Sequence, residues 1–192
     1  MKTPRFFYRF LFVFLAFVLA ACAPQAAAKS TVYKTVSEGT LKPGDTVPHR
    51  TGPTVLTVEG KISQTNADNA LKFDMETLES IGVVEYKVTD PFAKKSILYS
   101  GVLLSQLLQV AGADKNATTL TLWALDDYSV DMKISDSERW PVLIATKANG
   151  AYMPLDQKGP LVSVFPFDNF PEIDHLTYDN QWLWALAKIT VK

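Results

Sequence analysis

Cysteine is almost absent from the 192-residue sequence, in which Cys22 is the only one. A single cysteine cannot form a disulfide within the chain. No thiol follows Cys22, so none is available there for nucleophilic catalysis, redox chemistry or metal ligation. The two histidines, His49 and His175, are far apart and lack cysteine partners, so the sequence predicts no zinc or copper site.

An excess of basic charge is also missing. The chain has 19 Lys and Arg against 20 Asp and Glu, and a formal net charge of −1 at pH 7. Because binding to a phosphate backbone requires a basic surface, nucleic acid is excluded as a partner. Hydrophobic residues make up 47% of the chain, which is enough apolar material for one packed domain.

The sequence contains a single long hydrophobic run, from Phe10 to Ala21, and basic residues precede it. This is the pattern of an export signal, and the run is too short to span a bilayer stably. Its end, Leu19-Ala20-Ala21-Cys22, resembles the bacterial lipobox, in which cleavage before the cysteine leaves a lipid-modified N-terminus. The alternatives are an ordinary signal peptide that is cut nearby and an uncleaved anchor.

The lipobox resemblance predicts three segments. Residues 1–21 are a lipoprotein signal peptide, residues 22–51 are a lipidated N-terminus and tether, and residues 52–192 are the folded domain. Ala23 stands where an aspartate retains many lipoproteins at the inner membrane. By resemblance to that sorting rule, we expect a periplasm-facing lipoprotein that is attached to the outer membrane through Cys22.

Strand patterns dominate residues 52–192. Alternating apolar and polar residues predict a strand over Val84–Val88 and a β-hairpin over 118–134 that turns at Asp126-Asp127. Short apolar runs between turn signals predict further strands at 54–58, 142–146, 161–165 and 184–191. The sequence therefore predicts a single α+β domain in which β-structure predominates.

Two helices are predicted. Residues Ser100–Gly112 place their leucines on one helical face, with Ser100 as the cap and Gly112 as the end. A shorter helix begins at Asp74.

Several short motifs follow one another in a recognisable order. They are Tyr99-Ser100-Gly101, Asp126-Asp127-Tyr128, Val142–Ala145 with Asn149-Gly150, Gly159-Pro160-Leu161 and a closing Trp-rich strand. Together, from about Val55 to Val191, they resemble the molybdopterin-binding domain of the sulfite oxidase family. The resemblance implies a sulfite-oxidase-like α+β fold, with a β-rich sandwich or barrel-like body and helices at its edge.

The sequence departs from this family at two places. The resemblance implies a molybdenum-ligating cysteine between Val88 and Ser96, and that stretch contains none. It also implies basic side chains that hold the cofactor phosphate just before the closing strand, where this chain has Asp179. An oxygen ligand, from Ser96 or Asp90, is the alternative that would make the chain a molybdenum-cofactor-dependent oxidoreductase.

A sub-group of this fold also lacks the cysteine. The stretches Thr89–Phe92 and Phe165–Ile173 and the pair Trp182/Trp184 resemble small, exported, cysteine-less members that are regarded as pterin-binding proteins. Those members report pterin levels to membrane-bound cyclic-di-GMP enzymes. The resemblance implies a non-enzymatic sensor that binds a metal-free, unphosphorylated pterin. A structural or adhesion lipoprotein is a further alternative.

The chemistry of a pterin selects the candidate site residues. Its 2-amino and N3–H groups form a donor edge that a carboxylate accepts, and its flat faces need aromatic plates. Asp168 and Glu172 are the favoured acceptors because they lie among phenylalanines and prolines. The alternative for each acid is that it forms a turn or is an exposed charge. The alternative for Tyr128 is a buried tyrosine of the core. The predicted pterin-binding residues are Asp90, Phe92, Asp127, Tyr128, Asp168, Glu172 and Trp182.

Overall fold

The computed structural model describes residues 32–173 and 175–192. The predicted signal peptide, the lipobox and Cys22 lie outside the described residues. The strands, in chain order, are β1 Lys34–Ser37, β2 Leu56–Gly60, β3 Leu71–Phe73, β4 Val83–Thr89, β5 Ser96–Leu103, β6 Thr119–Ala124, β7 Ser129–Lys133, β8 Leu143–Ala148, β9 Ala151–Tyr152, β10 Val162–Val164 and β11 Leu186–Val191. The α-helices are α1 Met75–Glu79, α2 Leu104–Ala111, α3 Ile134–Arg139 and α4 His175–Tyr178.

The strands form two sheets. The six-stranded sheet has the order β1-β4-β5-β8-β10, and β9 pairs with β8. The five-stranded sheet has the order β3-β2-β11-β6-β7. In this second sheet, β11 runs parallel to β2 and antiparallel to β6. The last described strand therefore lies at the centre of its sheet.

One hydrophobic cluster includes side chains from both sheets and from α2. Its members include Val88 of β4, Ile144 of β8, Leu122 of β6 and Ile189 of β11, all fully or nearly fully buried. In β4 the alternate residues Val84, Tyr86 and Val88 are buried. This burial explains why the alternation of apolar and polar residues in the sequence predicted a strand here. The predicted α+β fold with predominant β-structure is confirmed.

The predicted helix over Ser100–Gly112 was wrong at its start. Residues 96–103 are strand β5, which pairs with β4 on one side and β8 on the other, and the helix begins only at Leu104. At Gly101 a Cβ atom would come within 2.1 Å of the carbonyl oxygen of Ile144, so only glycine permits this close strand approach. The predicted end is confirmed: Gly112 has φ +62 and terminates α2 in the left-handed conformation.

The predicted tether over residues 22–51 extends too far. Strand β1 pairs with β4, and Leu41 and Val47 belong to the buried core. The side chains of β1 are all exposed, so its place in the sheet is set by backbone hydrogen bonds, which a hydrophobicity pattern does not reveal. The folded part therefore begins before residue 52.

The remaining predicted elements agree with the structure within a few residues. The hairpin over 118–134 is β6 and β7, and Asp127 adopts φ +66 in its turn. The short helix α1 is capped by Asp74, whose side chain accepts a hydrogen bond from the N–H of Thr77 at 2.9 Å. Within residues 32–173 and 175–192, no helix has the length and apolar character needed to cross a membrane.

Candidate functional site

A cavity of about 670 Å³ opens beside the second sheet. It is enclosed by the turn after β4, the β6–β7 hairpin, the 3-10 turn that precedes β10 and the segment that leads into β11. Its lining residues are Phe92, Ala124, Leu125, Asp126, Tyr128, Leu155, Lys158, Asp179, Asn180, Trp182, Leu183, Trp184 and Ala185. Most of this surface is aromatic or aliphatic, and charged groups occur at a few places.

One wall of the cavity consists of Phe92, Trp184 and Lys158. The rings of Phe92 and Trp184 meet edge to face with centroids 4.8 Å apart. The Lys158 ammonium lies 4.0 Å from the centroid of the Trp184 ring. This distance is typical of a cation–π contact, so Lys158 is held along the face of the indole.

Trp182 is the most deeply buried of the aromatic lining residues, with 3% exposure. Its ring is stacked on Phe167 at 5.8 Å and meets Tyr99 edge-on at 5.6 Å. These neighbours belong to the 3-10 turn over Phe167–Asn169 and to β5, so the ring is supported from two elements. Trp182 is therefore a rigid part of the cavity floor.

A buried carboxylate lies behind the Lys158 ammonium. The distance from Nζ of Lys158 to Oδ2 of Asp90 is 3.5 Å, and the hydroxyl of Tyr99 donates to the same oxygen at 3.0 Å. Oδ1 of Asp90 accepts the backbone N–H groups of Phe92 and Ala93 at 2.8 and 2.7 Å. Both carboxylate oxygens are thus occupied by protein donors.

Burial and hydrogen bonding act on Asp90 in opposite directions. Burial raises the pKa of this carboxyl, but the N–H groups of Ala93 and Phe92, the Tyr99 hydroxyl and the Lys158 charge lower it by more, so its pKa lies below the usual value. Asp90 therefore remains ionised at neutral pH. It fixes the turn that carries Phe92 and the position of Lys158.

Two further carboxylates line the outer part of the cavity. Asp126 is exposed in the β6–β7 turn, where its Oδ1 accepts the backbone N–H of Tyr128 at 3.2 Å. Asp179 is half-buried at the start of a 3-10 turn, and its carbonyl oxygen accepts the N–H of Trp182. We call Asp126 and Asp179 the acidic rim. Lys158 is the single cation among the residues that line the cavity.

Both tryptophans of the cavity carry an unsatisfied donor. Nε1 of Trp182 and Nε1 of Trp184 are buried, and neither has a hydrogen-bond partner within residues 32–173 and 175–192. A buried N–H group without an acceptor costs about 1–3 kcal/mol, and native structures contain few of them. Both indole N–H groups are therefore enclosed by protein and do not open into the cavity.

Three of the predicted site residues line the cavity: Phe92, Tyr128 and Trp182. Tyr128 is 51% exposed, so the alternative of a core tyrosine was wrong. Asp90 lies directly behind the wall and is not available to a ligand, since its oxygens are occupied. Asp127 provides the left-handed residue of the hairpin turn and does not line the cavity.

The two favoured acceptors lie elsewhere. Oδ2 of Asp168 accepts the backbone N–H and the hydroxyl of Thr89 at 2.9 and 3.1 Å. Glu172 accepts Nε1 of Trp140 at 3.4 Å and pairs with Arg139 at 3.7 Å. Neither lines the cavity. Their phenylalanine- and proline-rich surroundings reflect core packing, because Phe165 and Phe167 are buried in the main hydrophobic cluster.

Sequence reasoning missed Lys158, Trp184 and Asp126 as site residues. Lys158 lies in a turn, where it adopts φ +72, and its position just before Gly159-Pro160 indicates only that turn. Trp184 lies two residues after Trp182 and is the first residue of the predicted strand 184–191, and this spacing was the available signal. Asp126 and Asp127 were indistinguishable in sequence, because only the turn geometry decides which of two adjacent acids faces the cavity.

Thiol and grouped metal-ligating side chains were sought around the cavity because of the predicted alternative of a molybdenum cofactor. The turn over residues 90–95 supplies no thiol, and within the described residues no three His, Cys, Asp or Glu side chains are grouped so as to hold a metal ion. The cavity also presents one ammonium, already paired with Asp90, against the acidic rim.

Comparisons with known proteins agree with this fold. Residues 85–168 match the family model of the oxidoreductase molybdopterin binding domain. The chain is similar to the sulfane dehydrogenase SoxCD from Paracoccus pantotrophus, with a TM-score of 0.53 and 16% sequence identity. That match covers 71% of this chain and 37% of the SoxCD chain, so the chain spans less than half of its length. No curated protein matches the sequence.

These matches confirm the predicted resemblance at the level of fold. At 16% identity the SoxCD likeness concerns architecture alone. The family match begins in β4 and ends at Asp168, so it includes the turn with Phe92 and the hairpin with Tyr128. It stops short of the segment that carries Trp182 and Trp184.

Proposed function

We propose that this chain, which has the sulfite-oxidase-like molybdopterin-binding fold, binds a metal-free and unphosphorylated pterin in its aromatic cavity. The observation that carries the proposal is the composition of the cavity. Aromatic walls from Phe92, Tyr128, Trp182 and Trp184 surround about 670 Å³ and are combined with a cation and two carboxylates. A flat bicyclic ring with both donor and acceptor edges is complementary to that set.

Stacking and edge recognition supply different parts of the affinity. An aromatic ring stacked on a heterocyclic base contributes about 1–3 kcal/mol, and it discriminates poorly among flat rings. Hydrogen bonds to buried or charged partners discriminate more strongly, since a mismatched edge leaves a group unpaired. In this proposal the aromatic side chains provide the stacking surface, and Lys158 and the acidic rim select the pterin.

Charge supports a ligand without phosphate or metal. The acidic rim disfavours an anionic tail, and the Lys158 ammonium is already paired with Asp90 at 3.5 Å. The chain offers no thiolate after Cys22 to bind molybdenum. We therefore propose that the domain acts as a binding module and not as an oxidoreductase.

We further propose that the domain is an exported lipoprotein, anchored through Cys22 and facing the periplasm, preferably at the outer membrane. The lipobox Leu19–Cys22 supports this placement. Metabolic labelling with palmitate is expected to label the original chain but not a Cys22→Ser variant. If the original chain takes up no label, the lipid anchor is wrong.

The mouth of the cavity supports a sensor role. Its border exposes apolar side chains to an unusual degree: Phe92 48%, Leu125 53%, Tyr128 51% and Leu155 66%. Clustered exposed apolar side chains mark protein interaction sites. The adjacent acids Asp126 and Asp127 favour a partner surface that is both apolar and basic. The proposed partner is the periplasmic domain of a membrane-bound cyclic-di-GMP enzyme.

The first experiment identifies the ligand. Small molecules are released by denaturing the mature protein after purification from its native periplasm, and they are identified by mass spectrometry together with a molybdenum assay. A metal-free pterin is expected. Molybdenum with molybdopterin would overturn the proposal in favour of a molybdenum-dependent oxidoreductase, and an empty protein that binds no added pterin would favour a structural lipoprotein.

The second experiment tests the partner. Leu125→Ser with Leu155→Ser is expected to abolish capture of the periplasmic domain of the cyclic-di-GMP enzyme even when pterin is added to saturation, since both side chains also line the cavity and pterin affinity falls with them. Val36→Ser, at a 53% exposed apolar residue of β1, is the matched control and should change neither. Retained capture by the double variant would contradict the proposed docking surface.

A further inference from the structure

The turn between β8 and β9 consists of Asn149 and Gly150. Both residues have left-handed backbone angles, with φ +50 and φ +83, and both are exposed. The flanking residues Ala148 and Ala151 pair with each other, so this is the two-residue Asn-Gly loop that is typical of β-hairpins. The side-chain amide of Asn149 is therefore followed directly by a glycine in a turn that water can reach.

Gly150 leaves its own backbone nitrogen unshielded. It has no Cβ, and a Cβ placed there would meet no atom within 4 Å apart from its chain neighbours. This nitrogen lies next to Asn149 in the chain, and a bond from it to Cγ of that side chain closes a five-membered ring. Any residue other than glycine would place a side chain beside the attacking nitrogen.

The oxygen of the Asn149 side chain already faces a donor. The backbone N–H of Leu98 in β5 donates to Oδ1 at 3.1 Å, and the N–H of Asn149 donates to the carbonyl oxygen of Leu98 at 2.7 Å. When a nucleophile attacks Cγ, negative charge develops on Oδ1. A backbone N–H that points at this oxygen before the reaction stabilises that charge without rearrangement.

We propose that Asn149 is a site of self-modification, at which the turn loses the side-chain amide by deamidation. The backbone nitrogen of Gly150 bonds to Cγ of Asn149 and gives up its proton, while the Cγ–Nδ2 bond breaks and Nδ2 leaves as ammonia. Water then opens the resulting succinimide at one of its two carbonyl carbons. The product is an aspartate or an isoaspartate, and no oxidant or reductant takes part. This inference does not depend on pterin binding.

The two products differ in their effect on the hairpin. An aspartate keeps the original backbone, and its carboxylate can still accept the N–H of Leu98. An isoaspartate directs the main chain through the side-chain carbons, which lengthens a two-residue turn and disturbs the pairing of β8 with β9. Lys147 and Tyr152 of these strands both bind Glu79 of α1, at 3.2 and 3.0 Å. The isoaspartate should therefore loosen the contact between the hairpin and α1.

The test follows the reaction in the full mature chain during incubation at pH 7 and at pH 9. Trypsin releases residues 148–158, in which mass spectrometry detects the exchange of amide for carboxyl and chromatography separates the two products. Asn69 is the matched internal control, since it is also exposed, has φ +60 and precedes Ala70 instead of a glycine. We expect Asn149 to react at least about tenfold faster than Asn69. The reaction should be faster at pH 9, because the attacking nitrogen must lose its proton.

The same incubation in urea separates the effect of the fold from that of the sequence. The contact with Leu98 exists only in the folded chain, so the ratio of the rates at Asn149 and Asn69 should be larger there than in urea. A smaller ratio in the folded chain would show that the hairpin protects Asn149, and the proposal would be overturned. Equal rates at the two asparagines in the folded chain would also overturn it.

Asn149→Asp distinguishes the added charge from the altered backbone. This variant carries the aspartate product from the start and cannot release ammonia at this position. We expect it to unfold at the same urea concentration as the fresh original chain, whereas an aged chain that is rich in isoaspartate should unfold at a lower concentration. Equal midpoints for the fresh and the aged chain would contradict the effect assigned to the isoaspartate.

Discussion

Lys158 is the single side chain on which the electrostatics of the cavity depend. Its ammonium lies between the buried Asp90 carboxylate and the face of Trp184. Because the pKa of Asp90 is below its usual value, the ion pair persists throughout the neutral pH range. One lysine thus both neutralises a buried acid and provides the cation of the cavity.

Replacing Lys158 by methionine should therefore affect binding more than stability. We expect Lys158→Met to weaken pterin binding about tenfold, because a charged donor is lost from the buried wall. The free energy of unfolding should fall by about 1 kcal/mol, since Asp90 keeps its other hydrogen bonds. Calorimetric titration and urea unfolding measure the two effects.

Lys188→Met is the matched control for this prediction. Lys188 also lies over a tryptophan ring, 4.5 Å from the centroid of Trp123, but it is remote from the cavity lining. Its replacement should leave pterin affinity unchanged. If Lys158→Met and Lys188→Met lowered pterin affinity equally, the effect of Lys158 would not come from its position in the cavity.

Replacing Asp168 or Glu172 should not affect pterin binding, in contrast to replacing Lys158. We expect Asp168→Asn and Glu172→Gln to leave pterin affinity within about twofold, because neither side chain lines the cavity. Asp168→Asn should still lower the free energy of unfolding by about 1 kcal/mol, since it weakens the bonds to Thr89. A loss of pterin binding in either variant would contradict the site described above.

Among the elements, α1 depends most on one capping residue. Asp74 accepts the N–H groups of Thr51 and Gly52 at 2.8 Å as well as that of Thr77. Burial raises the pKa of this carboxyl, but these hydrogen bonds lower it by more, so its pKa lies well below the usual range. The cap therefore also fastens the segment before β2 to the helix.

This cap should make stability depend on pH. Because the folded-state pKa of Asp74 is lower than the unfolded value, its contribution is complete above pH about 4 and is lost as the pH falls towards the folded value. Asp74→Ala is expected to cost about 2 kcal/mol at pH 7. The difference from the original chain should shrink below pH 4.

Urea unfolding at several pH values checks this prediction. Glu138→Ala removes an exposed acid from α3 and is the control for a simple change of net charge. A constant difference between Asp74→Ala and the original chain from pH 7 to pH 3 would show that the carboxylate is not the source of the stabilisation.

The sequence predicted secondary structure correctly where the hydrophobic pattern has one clear period. It failed where the same residues fit both a helical and a strand period. The alternation in β4 and in the β6–β7 hairpin was readable because one face of each strand is buried. The run Val102-Leu103-Leu104 fits a helix as well as a buried strand, and only the pairing with β4 and β8 decides between them. Strand β1 has no buried face and left no signal.

The candidate site was predictable in part for a related reason. Phe92 and Tyr128, two aromatic residues that flank turns and were predicted as site residues, both line the cavity. The carboxylates were misjudged, because a carboxylate that accepts backbone N–H groups looks the same in sequence as one that faces a ligand. Asp90 and Asp168 are both of the first kind.

For the whole molecule, the position of the domain boundary has a measurable effect. We expect a chain that starts at residue 52 to be less stable than one that starts at residue 32 by at least about 3 kcal/mol, because it lacks the buried Leu41 and Val47. It also lacks β1, so β4 becomes an exposed edge that favours aggregation.

Urea unfolding and size-exclusion chromatography compare the two chains. The longer chain should be monodisperse under conditions in which the shorter one forms larger species. If the two chains had the same stability and the same elution volume, residues 32–51 would be dispensable and the originally predicted boundary at residue 52 would be right.

The central position of β11 also determines when during synthesis the molecule becomes able to bind. Thr190 of β11 bonds to Glu59 of β2 across 131 residues of chain, and the cavity tryptophans lie immediately before this strand. The second sheet cannot close until the residues of β11 have been made and released. An arrested or prematurely terminated polypeptide therefore contains most of the core yet cannot compete with the finished protein for ligand.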